Sequence, residues 1–587
     1  MVQEFTYDDH QRLLTLKLID RTNSDVRQWT FEYYPDSLGV PGQLKSVDGP
    51  RVDVDDVTRF EYDAQANLSR VINSLGHVVS FDNYDAHGRA QSVTDANGVS
   101  YSLNYNTLGQ LISSTGPDGT TLYSYDESGL LVSISLPTNS TFTYEYDAAQ
   151  QLMAVIDANG NRQSINRDSL GNIEQVELKD NSGIAHWKQL HSYTLNGWLS
   201  STTNGTGNVY TYSYDKTANL TGKVDPSGNA YAYRYDGFSN LLQSIDPVNR
   251  ATAMQYNDNA LVTRVTDPRG RRTYYSYNGY GDVLSVQSPD TGTAHYTYDK
   301  AGNLNGKTDA NGQVFTYHYD ALNRLSLITL DGQPNASVTF RYDEPEALYG
   351  VGQLTSITDA SGVSKYSYTA SGELASQELI VDGRTLLTNY TYDGAGLLAS
   401  IEYPSGCKAV YQRNVAGEVI GITLNNGVNS RTLVSDLVRK PFGPVTDLTH
   451  GNGLWEERQY DMNYQLESVQ VAGAMHRSYL YTANSNVDSI TDLMDSGYSQ
   501  IFNYDKLSRL IDATGGYGTR EYTYNYNGNR TAIYRDGVKD SYSIVFNSNR
   551  LTKTSIGSII YSYDANGNTI GRGGCRNRAN PARICLA

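Results

Sequence analysis

Cysteine is almost missing from this sequence: Cys407, Cys575 and Cys585 are the three in 587 residues. Three cannot staple a chain of this length, so a disulfide framework is excluded. Positive charge is also short. Lys and Arg number 46 against 63 Asp and Glu, a net charge of −17. That balance argues against nucleic acid as a partner, because phosphate binding needs a positive surface. No apolar run approaches the ~20 residues that span a bilayer. The opening MVQEFTYDDH has neither a basic nor an apolar stretch and reads as no cleavable signal. Proline stands at only 15 and charged residues at 19%, while tyrosine reaches 49 against 11 Phe and 4 Trp, with 53 Gly. Half-buried strands joined by tight turns fit that mixture; collagen-like and coiled-coil chains do not.

Periodicity then dominates. Anchored on the second aromatic of Tyr-x-Tyr-Asp, the units fall at Tyr193, Tyr214, Tyr235, Tyr256, Tyr277, Tyr298 and Tyr319, each 21 residues after the last. The same frame picks out Tyr62, Tyr84, Tyr105, Tyr125, Tyr146, Tyr342, Tyr368, Tyr392, Tyr460, Tyr481, Tyr504, Tyr526 and Tyr563. Degenerate anchors stand at Arg167, Arg413, Arg439 and Phe546, and Tyr7 and Tyr33 serve the less regular start. Three segments follow: irregular units over 1–60, the repeat proper over 61–570, and an aperiodic tail with four arginines over 571–587.

Each unit reads as a β-hairpin. Tyr210–Tyr214 alternates aromatic with small residues, the period-2 pattern of a strand. Asp215 to Leu220 is a turn whose Asp bonds the backbone two residues on, and related units put Gly at its left-handed position, as Gly302 does. The second strand, Leu220 to Val224, closes on DPSG or DANG. The expected structural anchors are thus pairs such as Tyr214–Asp215, Tyr235–Asp236, Tyr298–Asp299 (with Gly302), Tyr319–Asp320 and Tyr504–Asp505. Tyrosines two apart share one face of a strand, and a ladder of stacked rings is expected along it. Choosing Tyr over Phe argues for a thin, single-layer sheet, wet near both surfaces. Two strands per unit at about 4.8 Å make roughly 10 Å of sheet per repeat, and about 25 units make a ribbon on the order of 250 Å. So long a ribbon must twist and coil into a spiral whose successive turns pair, enclosing space for a domain of very roughly 10–20 kDa. The fold class is all-β: a hairpin ribbon spiralling into a hollow, incomplete shell.

At Tyr-Asp-x-x-Gly-x-Leu, as in Tyr125–Leu131 and Tyr298–Leu304, the unit resembles the YD repeat of Rhs proteins, insecticidal toxin-complex subunits and teneurins. PFGPV at Pro441–Val445, HGNGL at His450–Leu454, YDKLSRL at Tyr504–Leu510 and YNGNRT at Tyr526–Thr531 resemble the bacterial Rhs core. The resemblance covers about residues 1–570. It implies a β-cocoon that encapsulates a C-terminal toxin cargo, exported by secretion machinery to the surface or medium rather than by a signal peptide. Family members that carry a toxin end their shell in Asp-Pro-x-Gly-Leu. Here Asp225-Pro-Ser-Gly228 and Asp267-Pro-Arg-Gly270 precede Asn229 and Arg271 instead of Leu, and both read as ordinary turns. The tail and the N-terminus, which opens inside a unit, read as the ends of a fragment of a larger Rhs protein.

No catalytic, cofactor or metal residues are expected. His186 and His191 lie five apart on a strand and so on opposite faces, Cys575 and Cys585 have no companion ligands, and no nucleophile elbow or phosphate loop occurs. Asp157-x-Asn159-x-Asn161 reads as a tight turn rather than a calcium loop. The leading expectation is a structural container without catalysis. An adhesive or carbohydrate-binding surface of exposed Tyr and Asn is the alternative, and a carboxylate enzyme on a repeat scaffold is the third reading.

Overall fold

A computed structural model describes residues 1–35 and 40–573, and those residues hold 52 strands and three single-turn 3-10 segments, with no α-helix. The strands pair antiparallel in one continuous sheet, each with its neighbours in sequence. That sheet is the hairpin ribbon, one layer thick. Among the described residues only eight apolar side chains are buried, Ala154, Ala409, Leu448 and Ile533 among them, and these form no packed centre.

All but two first strands of the hairpins end on the expected anchor, as in Val209–Tyr214, Ala230–Tyr235 and Gln500–Tyr504. The following Asp closes the turn. Asp215 accepts from the backbone N–H groups of Thr217 and Asn219, both at 2.9 Å, and its other oxygen accepts from the Asn219 amide at 3.0 Å. Asp236, Asp299, Asp320 and Asp505 repeat this, with Asn240, Asn303, Arg324 and Arg509 in the fourth place. Gly302 donates its N–H to the Asp299 carbonyl at φ +90°, where an L side chain is strained. Asp225 and Asp267 cap their own turns in the same way, so both Asp-Pro segments are turns.

The tyrosines stabilise the sheet differently from the expectation. Among the described residues two ring pairs approach each other, Tyr34–Tyr62 and Trp198–Tyr214, so there is no stacked ladder. Instead, at most anchors the hydroxyl donates to the carbonyl of the residue that opens the second strand one hairpin upstream. Tyr277 reaches Val262 at 2.7 Å, Tyr298 reaches Val283 at 3.0 Å, Tyr319 reaches Leu304 at 2.9 Å and Tyr504 reaches Val487 at 2.8 Å. Register explains the need. Between the strands Val262–Thr266 and Arg272–Tyr277 the ladder starts only at Arg264, and the Val262 carbonyl lies beyond it. The strands splay there, and the phenol bridges the gap that a Phe would leave open. Arg413 replaces Tyr at one anchor and keeps the bond, its guanidinium donating to the Leu398 carbonyl at 2.9 Å. Burial raises the pKa of Tyr277, Tyr298, Tyr319 and Tyr504, keeping the donor protonated. Replacing Tyr277 by Phe should therefore cost about 1 kcal/mol in urea unfolding followed by circular dichroism; an unchanged midpoint would refute the bridging role.

Two anchors are corrected. In YTYNYNGN the strand Gly518–Tyr524 ends two residues before the expected Tyr526, and Tyr524 makes the hydroxyl bond to Leu510. The turn decides the phase, because Asn525 is the residue that accepts from the Asn527 and Asn529 N–H groups. Likewise the strand Val538–Ile544 ends before Phe546, which lies exposed in the turn. The two cysteines of the tail, Cys575 and Cys585, lie outside the described residues.

Candidate functional site

The ribbon's two long margins are rows of turns, one made by Tyr-Asp turns and the other by the DPSG-type turns. Long-range contacts join them in a constant pattern. Asp225 and Ser227 accept from and donate to the side chain of Asn484, at 2.8 and 3.3 Å. Asn159 donates to Glu418 at 2.8 Å, the Gly205 N–H to Asn463 at 2.7 Å, and Asn97 exchanges two bonds with Val351 at 3.0 and 2.9 Å. Asn527 donates to Asp267, and Asn566 to Asp309. Partners lie 254 to 260 residues apart, and in each case the Tyr-Asp turn belongs to the hairpin 23 strands further on. The ribbon therefore winds, one full circuit taking 23 strands, and the margins of successive windings meet along a seam. Strands run across the ribbon, so the windings join through turns and not by the edge-to-edge strand pairing expected from the sequence.

Arginines lock the seam. Arg51, with its side chain 3% exposed, inserts between two Tyr-Asp turns of the next winding. It donates to the carbonyls of Asp320 at 2.5 Å and Tyr319 at 3.3 Å, with the Asp299 carboxylate 3.8 Å away. Arg27 pairs with Asp282 at 2.5 Å and lies over the Tyr280 ring, whose hydroxyl donates to the Asp25 carbonyl at 2.6 Å. Arg269 donates to Ser548 and Val545 carbonyls at 2.7 and 3.2 Å. Each guanidinium has several fixed donors to satisfy carbonyls that converge at turns.

Of the expected anchors, Asp299, Gly302, Tyr319 and Asp320 are gathered around Arg27 and Arg51. Asp215 and Asp236 belong to the first winding and take partners only within their own turns. Sequence reasoning missed Arg27, Arg51, Arg269, Asn484 and Asn527. Asn484, Asn527 and Asn566 share the third turn position, but so do Asn196 and Asn259 away from the seam, so the sequence carried no single-position signal for it. Some carboxylates on these margins are acid-strengthened. The Asn219 amide holds Asp215 down to about 2, Arg89 holds Asp85 down to about 2, and Asn311, reaching across the seam, lowers Asp564.

Chemistry beyond structure is sparse. His186 takes Asp180 at 2.9 Å and Lys440 at 3.1 Å, while His191 takes Thr202 at 3.3 Å, so the two histidines do not converge. Among the described residues no cluster of His, Cys, Asp or Glu is arranged to hold a metal, and no helix is long and apolar enough to cross a membrane.

Known proteins share this architecture. The crystal structure of TcdB2-TccC3 superposes on 97% of the chain with a TM-score of 0.71 at 17% identity, and the chain covers 37% of it. The same protein without its hypervariable C-terminal region gives 0.74 at 14% identity, with 97% and 39% coverage. At those identities the likeness is one of fold. In sequence, the chain is 25% identical over 162 residues to a probable deoxyribonuclease, RhsB, of Dickeya dadantii, covering 24% of this chain and 11% of that protein. It is 30% identical over 123 residues to the tRNA3(Ser)-specific nuclease WapA of Bacillus spizizenii, 21% of this chain and 5% of the other. The chain thus spans about a tenth or less of these relatives' length. A family model, the teneurin YD-shell, matches residues 47–183 and 189–347, just over half of the sequence. The windings, the seam and that match have one meaning: the chain belongs to the teneurin YD-shell family and forms an Rhs-type YD-repeat shell.

Proposed function

We propose that this shell is a container that encloses a polypeptide cargo, a toxin domain supplied C-terminal to it, and holds it until delivery. The observation that carries the reading is the seam, which turns an open ribbon into a continuous wall. At about 4.8 Å per strand, 23 strands make a circuit of roughly 110 Å and a diameter near 35 Å between backbones. Side chains leave a passage of about 25 Å, and 52 strands make just over two windings, roughly 55 Å tall. A folded 100-residue domain has a radius of gyration of about 13 Å and is about 34 Å across, wider than this passage, so the cargo is held as an unfolded or elongated chain. The wall's scarcity of buried apolar side chains matches a single layer that faces water on both sides. The names of the nucleases that share the repeat are consistent with a toxic cargo, and the wall itself has a scaffold's role without catalysis. Export through secretion machinery completes the reading.

A test is to append an unstructured, protease-sensitive reporter of about 100 residues after Ala587. Trypsin should cut it far more slowly than the free reporter, and electron microscopy of the particles should show an axial hollow. Cleavage at the free rate, or a solid particle, would overturn the proposal.

A further inference from the structure

Five of the amides that cross the seam share a second property: each asparagine is followed by glycine. Asn97, Asn159 and Asn311 stand in DPSG-type turns, and Asn527 and Asn566 in the Tyr-Asp-type turns of the facing winding. The pair Asn-Gly is chemically labile. The glycine nitrogen can attack the asparagine Cγ, because no Cβ hinders its approach. Its proton passes through solvent to the carboxamide nitrogen, whose bond to Cγ breaks, and ammonia leaves behind a five-membered succinimide. Water then opens the ring at one of its two carbonyls, giving aspartate or isoaspartate. One water is consumed and one ammonia released, with no change of oxidation state.

The closed seam opposes that attack twice. Each of the five glycine N–H groups is held by the carbonyl three residues back, at 2.9 to 3.2 Å. Each carboxamide is also bonded across to the facing winding. Asn311 donates to Asp564 at 3.0 Å and accepts from the Ala565 N–H at 3.0 Å. Asn566 donates to Asp309 at 2.5 Å and accepts from the Ala310 N–H at 2.8 Å. Asn527 donates to Asp267 and accepts from the Arg269 N–H at 3.1 Å. Only this second restraint belongs to the seam. Asn196 and Asn452 isolate it, because they stand exposed on the ribbon's two outer margins in turns of the same shape. Gly197 and Gly453 have φ +78° and +83°, against +79° to +85° for the five seam glycines, and their N–H groups are bonded in the same way.

The product cannot restore the contact. Asn159, Asn311, Asn527 and Asn566 each donate to a carboxylate, those of Glu418, Asp564, Asp267 and Asp309. After conversion an anionic oxygen replaces the donating nitrogen, and two like charges face each other at hydrogen-bond range. Isoaspartate also lengthens the turn by one backbone atom.

We propose that these five asparagines are latent modification sites, shielded while the seam is shut and converted to acid once it opens, so that opening becomes irreversible. The inference rests on the seam alone and not on the container reading.

The full chain is kept folded in warm, mildly alkaline buffer, with a second sample unfolded in urea, and peptide mass spectrometry follows each Asn-Gly pair. In the folded chain Asn196 and Asn452 should convert, and the five seam asparagines should be slower by about tenfold or more. In urea all these rates should converge. Asn527→Asp with Asn566→Asp imitates the product; it should keep a β-sheet circular dichroism spectrum, melt lower and admit protease at the neighbouring turns. Asn196→Asp with Asn452→Asp places the same charges off the seam and should leave the melt unchanged. Seam asparagines that convert as fast as Asn196 and Asn452 in the folded chain would overturn the proposal, and so would equal melts of the two double variants. The conversion rates need no substitution, so they decide the matter even where a variant fails to fold.

Discussion

Replacing Gly205 and Gly279 together by valine should part the windings while leaving the hairpins folded. Neither glycine has a positive φ, so the substitution is a matter of space alone. A Cβ on Gly205 would fall well inside van der Waals contact with the Met462 carbonyl of the next winding. One on Gly279 would overlap the carboxylate of Asp20, a residue with 0% exposure that accepts the Gly279 N–H at 2.8 Å. Forcing a side chain into a close-packed contact costs about 1–3 kcal/mol at each site, and the two lie far enough apart along the seam to add. Far-ultraviolet circular dichroism should stay that of a β-sheet, because strand pairing within the ribbon is untouched. The melting temperature should fall and limited proteolysis should cut the Tyr-Asp turns near Asn463 and Gly279. An unaltered melt and an unaltered digestion pattern would show that the seam does not support the fold.

Acid should have the broader effect. An unpaired aspartate titrates near 3.9. Asp215 is held down to about 2 by the Asn219 amide and backbone, and Asp85 by Arg89. Asp236, Asp168 and Asp63 are lowered in the same direction, first by the amides of Asn240, Asn172 and Asn67. A folded pKa below the unfolded value means that the unfolded chain takes up protons first. The stabilisation is complete above about pH 4 and disappears as pH falls towards 2. Each exposed turn contributes little, but Asp8, Asp505 and Asp564 are lowered as well, and so the losses arrive together. Thermal melts should be nearly level from pH 7 to about 4 and drop steeply below. A melting temperature at pH 2 equal to that at pH 7 would contradict the capping role of these aspartates.

Much of this was legible from the residues, and the parts that were not have physical reasons. The 21-residue spacing located nearly all hairpins, because strand, turn and anchor are local and repeat in register. It slipped by two at Tyr526, since YTYNYNGN offers two Tyr-Asn phases and only the backbone bonds to Asn525 choose between them. Tyrosine abundance was read as stacking, whereas its hydroxyl is what the sheet uses. The distinction needs the register at Val262 and Tyr277, which no pairwise spacing encodes. The seam was invisible for another reason. Asp225 and Asn484 meet because 23 strands close a circuit, and that number follows from the summed splay of many strand pairs.

That each winding stands on the last has a consequence for how such a wall grows. One row of turns comes round beneath the opposite row, one storey higher, like the treads of a spiral staircase. Adding repeats to such a molecule lengthens the stairwell at constant bore, so capacity rises in proportion to chain length while the girth, and the widest body it admits, stays fixed.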